Sequence, residues 1–84
     1  MSGGYFDYKQ HHMRDIADRI EGAIAKNKSS NFKYYKKTLK EFKSGVKALR
    51  IAEVYAQRID WLLSHDDSEE SFHERLKADL KEIQ

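Results

Sequence analysis

The chain has 84 residues, of which 39% are hydrophobic and 36% charged, and its formal net charge is +2 with a mean hydropathy of −0.88. That length makes one domain with a thin core, and it excludes two domains. The absence of cysteine excludes disulfides, thiolate metal sites and cysteine nucleophiles.

The longest apolar run, Trp61-Leu62-Leu63, is far short of the roughly 18 residues of a membrane span, and no signal-peptide apolar region follows Met1. A cytoplasmic protein without a membrane partner is the expectation. No proline and few glycines leave little to interrupt helices. The sequence therefore predicts an all-α fold over 1-84: three helices, a long central one with two shorter antiparallel helices packed on it.

Residues 1-6 are expected to be a flexible or core-capping N-terminus, where Tyr5 and Phe6, with Tyr8, need an apolar surface to cover. Asp7 suits the N-cap of a first helix over 7-26. Its seam is Met13, Ile16, Ile20, Ala23 and Ile24, with Asp15, Asp18, Arg19 and Glu21 outward. Gly22 costs about 1 kcal/mol against alanine inside this pattern and reads as a place of close helix approach. Residues 27-31 have turn chemistry, with Asn27 suited to a left-handed C-cap and Ser30 or Asn31 to the next N-cap.

The second helix is predicted over 32-64, roughly 45 Å long at 1.5 Å per residue. Leu39, Phe42, Val46, Leu49, Ala52, Ala56, Ile59 and Leu63 recur in steps of three and four, which predicts a buried seam. Beyond Leu49, Ile51, Val54, Tyr55 and Trp61 widen the apolar surface over most of the circumference. This half needs covering from more than one side, and a homodimer supplies that. Asp67 and Glu70 have capping-box spacing for a third helix over 67-83, with Phe72, Leu76, Leu80 and Ile83 inward.

Few residues carry conventional chemistry. His11 and His12 are adjacent and diverge by about 100° on a helix. His73 follows Glu69 by four residues and Glu70 by three, and His65 adjoins Asp66, a spacing that admits a carboxylate and imidazole group as well as plain polar helix ends. No zinc spacing, phosphate loop, nucleophile elbow or paired-carboxylate motif is present. The expectation is a non-enzyme with no catalytic residue, metal or cofactor.

Charge is segregated. Residues 26-50 hold nine basic groups and one acidic; residues 60-84 hold three basic and eight acidic. Lys33, Lys36, Lys37, Lys40, Lys43, Lys47 and Arg50 are expected to crowd onto one arc of the long helix, where a merely solvated face would alternate signs at i,i+4. A solvated surface is the bland alternative. Otherwise the neighbour is an acidic protein surface, nucleic-acid phosphate, or the acidic third helix of the same or another copy. Tyr34 and Tyr55 are the candidate aromatic anchors beside it.

Two stretches carry a resemblance. Ser2-Gly3-Gly4-Tyr5-Phe6-Asp7-Tyr8 at one end, and Arg58-Ile59-Asp60-Trp61-Leu62-Leu63-Ser64 with Asp66-Asp67-Ser68-Glu69-Glu70-Ser71-Phe72-His73 at the other, resemble a family of small uncharacterised proteins of bacteriophages, prophages and other bacterial mobile elements. The family pattern has glycine where His65 and Ser68 stand, which implies a differently built turn. The resemblance implies a phage or prophage protein in a bacterial cytoplasm and supplies no activity. By analogy with phage accessory proteins, a counter-defence inhibitor of the anti-CRISPR kind is one expectation. The functional expectation is a non-enzymatic binding protein that docks on a host or phage protein or nucleoprotein complex. The alternatives are a nucleic-acid-binding accessory protein and a structural self-assembly module.

Overall fold

The computed structural model describes residues 4-27 and 33-83. The caps predicted at Ser30 and Asn31, and the predicted helix start at Phe32, lie outside the described residues. Three helices form, α1 (His11–Lys26), α2 (Lys36–Leu63) and α3 (Glu69–Ile83), with no strand among the described residues. α2 runs unbroken through Gly45. Both outer helices pack on α2 and not on one another, giving extents of 50 × 24 × 13 Å. The molecule is one layer of helices with the longest in the middle, and the all-α, centre-helix architecture is as the sequence predicts.

The line of contact between α1 and α2 is a departure. The contact line repeats every seven residues: Gln10 bonds to Asp60, Ile24 lines one groove with Val46, and the buried Ala17 and Glu53 fall between these two contacts. Ala17 and Val46 are the fully buried apolar side chains among the described residues, whereas Gln10, Glu53 and Asp60 are buried and polar. The predicted seams share Ile24 and Val46 with this line and otherwise lie beside it on each helix. Ile16 is 48% exposed, Ile59 36% and Leu63 41%, and Ala23 and Ala52 are exposed too, so this part of the expected core faces outward, while the other seam residues are buried or half-buried. Burial follows the polar line because its groups satisfy one another at close range, which an apolar contact would not require.

Asp60 is the centre of that polar line. Its carboxylate accepts the backbone N–H of Tyr5 at 2.7 Å and of Gly4 at 3.2 Å, the Gln10 amide Nε2 at 2.8 Å and the Ser64 hydroxyl at 3.2 Å. The two resembling stretches, far apart in sequence, thus meet at one side chain. This clasp shortens the first helix, which starts at His11 and not at Asp7. Residues 5-10 wind through turns instead, with Asp7 at φ 55° and Tyr8 at φ 60°. Asp7 does not cap a helix; Gln10 holds the N-cap position without a side-chain cap bond. Phe6 is half-buried and lines one hollow with Met13 and Ala56, but Tyr5 and Tyr8 stay exposed, so only one of the three aromatics turns towards apolar surface.

Further corrections concern the turns. A Cβ on Gly22 would meet nothing within 4 Å, so no close approach requires that glycine. Asn27 stays right-handed at φ −58° and uses its side-chain oxygen to accept the Tyr34 N–H at 2.9 Å. α2 ends in a Schellman arrangement: Asp66 N–H donates to Trp61 C=O at 2.9 Å and His65 N–H to Leu62 C=O at 3.1 Å. His65 sits at φ 63°, the position where glycine is favoured. His65→Gly is expected to raise stability by roughly 0.5–1 kcal/mol in urea unfolding, by relieving the Cβ contact of a left-handed residue. An unchanged midpoint would mean that His65 bears no strain.

The cap of α3 is Ser68 with Ser71, not Asp67 with Glu70. Ser68 Oγ accepts the Ser71 N–H at 3.2 Å and Ser71 Oγ accepts the Ser68 N–H at 3.2 Å, a reciprocal capping box one residue later than predicted. Asp67 accepts the Ser71 hydroxyl below it. Phe72, Leu76, Leu80 and Ile83 form the half-buried side of α3 as the spacing predicts. Arg58 ties α3 down: its Nε donates to Asp79 Oδ2 at 2.6 Å while its guanidinium lies 4.8 Å from the Trp61 ring centroid. Arg58→Ala is expected to cost about 2 kcal/mol in the same assay, because a half-buried carboxylate and an aromatic face both lose their cation. A loss near zero would show that water replaces the guanidinium freely.

Candidate lysine docking ridge

α2 positions the functional candidates. At about 100° per residue, Lys36, Lys40, Lys43 and Lys47 stay within an arc of about 60° and run some 16 Å along the helix. All four are exposed, and none makes an ion pair among the described residues. No α3 carboxylate forms an ion pair with them among the described residues; Asp79 is held by Arg58, and Asp67, in the turn before α3, by Ser71 and Arg75. Four lysines therefore line one edge of the N-terminal half of α2, the last two beside the ends of α1 and α3.

The other predicted contacts divide. Lys33 is exposed and precedes the helix, so it prolongs the basic edge. Arg50 does not belong to the free set. Its Nη2 donates to Glu21 Oε1 at 2.8 Å and Asp18 Oδ1 at 2.9 Å, and these bonds, Glu21 first, raise its already high pKa further. It is a tie between α1 and α2. Tyr34 lies near the start of the ridge, 49% exposed, with its ring 5.4 Å from that of Phe42. Tyr55 is 43% exposed but stands roughly 90° round the helix and two turns further on, so the fold does not bring it to the ridge.

Beside the ridge, the ends of α1 and α3 leave a groove of about 400 Å³ on α2, lined by Ile24 and Ile83, by Lys43 and Lys47, and by Glu21, which is already bonded to Arg50. Its floor is Val46 and Arg50. The combination suits a partner with an acidic rim and a small apolar projection. Sequence reasoning found the lysines through their spacing; the groove it missed, because Ile24 and Ile83 approach one another only through their separate packing on α2.

The remaining polar clusters hold the fold. Glu53, 8% exposed, accepts Arg14 Nε at 2.9 Å and lies 3.4 Å from His11 Nδ1. The His11 ring stacks against Tyr8 with centroids 6.4 Å apart. His73 packs edge-on against Phe72 and does not join Glu69 and Glu70 in a ligand set; among the described residues no group of three or more histidines and carboxylates is placed to hold a metal. No helix among them is long and apolar enough to cross a membrane. No family model, curated protein or solved structure matches this chain.

Proposed function

We propose that this chain is a non-enzymatic binding protein that docks by its lysine ridge on an acidic face of a macromolecular partner. One observation carries the reading: Lys36, Lys40, Lys43 and Lys47 share one edge of a continuous helix and none of them makes an ion pair among the described residues. Holding like charges in register costs free energy that an acidic partner returns on binding. The resemblance at the two ends of the chain makes a host or phage protein or nucleoprotein the partner to look for, with a defence complex among them.

Nucleic acid itself is the second reading, favoured by the lysine-only composition of the ridge, which suits phosphate and reads no bases. Capture from a bacterial host lysate tests both, with wild type beside a Lys36→Glu, Lys40→Glu, Lys43→Glu, Lys47→Glu variant and with and without nuclease. A partner that survives nuclease and is lost on charge reversal supports the first reading. Loss after nuclease alone supports the second. Equal capture by the reversed variant removes both.

A further inference from the structure

In a chain that is 36% charged, one side of α2 carries no charge for about five turns. From Gly45 to Leu63, the arc turned away from both outer helices holds glycine, alanine, leucine, isoleucine and tyrosine. Ile16 of α1 borders it at 48% exposure, and Ile59 and Leu63 remain 36% and 41% exposed. Two hollows of about 400 and 490 Å³ open along it, one over Ile20 and Gly45, the other over Met13 and Ala56. A solvent-facing side of a soluble helix is polar, so this surface is made to be covered.

We propose that a second copy of the same chain covers this face, packed antiparallel about a two-fold axis near Ala52. Area argues for it. The chain exposes 6624 Å², whereas a folded monomer of 9.9 kDa is expected to expose about 5200 Å², leaving an excess of roughly 1400 Å². That is what one partner of an obligate-type dimer buries. Architecture agrees: a domain is normally two packed layers, and a molecule 13 Å thin is one.

Shape selects the orientation. The face is small at one end, with Gly45 and Ala48, and large at the other, with Ile59 and Leu63. A two-fold axis at Ala52 lays Ile59 of each copy on Gly45 of the other, with Ala48 on Ala56 and Leu63 at the rim beside Glu41, the self-complementarity that an isologous interface requires. A Cβ on Gly45 would meet nothing within 4 Å inside the chain, so the space above it lies open to an incoming side chain. The lysine ridge lies on the opposite side of α2 and stays open, so this surface is separate from the proposed docking edge.

Sedimentation equilibrium of the full chain is expected to give twice 9.9 kDa at micromolar concentration. Ala52→Glu, which meets its own copy at the axis, is expected to halve that mass while helicity by circular dichroism persists. Because the chain has no cysteine, single introduced thiols report the geometry independently of that variant's folding. Ala52→Cys is expected to cross-link to itself, and Gly45→Cys to Ile59→Cys but not to itself. A 9.9 kDa species at every concentration would overturn the proposal and leave the face to a different protein. So would an assembly that Ala52→Glu leaves intact, or self-linking of Gly45→Cys, which marks a parallel pair.

Discussion

Asp60→Asn is expected to lower unfolding stability by about 3 kcal/mol, most of what a domain this small possesses. The carboxylate receives four hydrogen bonds in a site with no exposed surface. An amide in its place keeps one acceptor oxygen and turns an NH2 group towards donors, so the Gly4, Tyr5 and Gln10 donors cannot all be satisfied. Freed from Asp60, residues 4-10 lose their anchor and Phe6 its place beside Ala56. Urea unfolding near neutral pH checks this, and a loss under about 1 kcal/mol would mean that water substitutes for the carboxylate.

The same site sets an acid dependence. Burial alone pushes the Asp60 carboxyl up, but the hydrogen bonds from Tyr5, Gln10, Gly4 and Ser64 outweigh it and hold its pKa below the ordinary 3.8. The native group therefore gives up its charge less readily than the unfolded one. Its contribution is complete above the ordinary value and is lost as pH falls through the depressed native value. The asparagine variant is expected to lack that part of the acid limb.

Reversing the four ridge lysines is the second large effect. For a short DNA duplex contacted by four lysines, affinity is expected to fall about 150-fold between 50 and 200 mM salt, since each neutralised phosphate releases close to one counterion. The reversed variant, with four charges of the wrong sign, is expected to show no binding at either salt. An acidic polypeptide probe is expected to follow the same direction with a shallower slope, because it carries no comparable condensed counterion layer. Fluorescence anisotropy reads both. A flat salt response in the wild type would remove the electrostatic basis of the docking edge.

The lysine edge was legible because it needs only the helical repeat: once α2 is continuous, the spacing of Lys36, Lys40, Lys43 and Lys47 places them together. The three helices were legible for a similar reason, since no proline and few glycines interrupt long periodic stretches. The core was not. Apolar periodicity marks a face that needs covering without saying what covers it, and here the chain covers the neighbouring line of Gln10, Ala17, Glu53 and Asp60 first. Asp60 reads as an outward charge until the backbone N–H groups of Gly4 and Tyr5 are known to reach it from the other end of the chain. Arg50 was misplaced among the ridge cations because spacing alone does not reveal Asp18 and Glu21 on the facing helix.

The two sides of α2 imply separable roles, and one sedimentation run on the charge-reversed chain with the labelled duplex present addresses both. The protein is expected to sediment at twice 9.9 kDa, with the duplex left behind. Co-sedimentation of the duplex, or collapse of the protein to a single 9.9 kDa chain, would contradict the account, by showing that the lysines are not the docking edge or that they also hold the copies together.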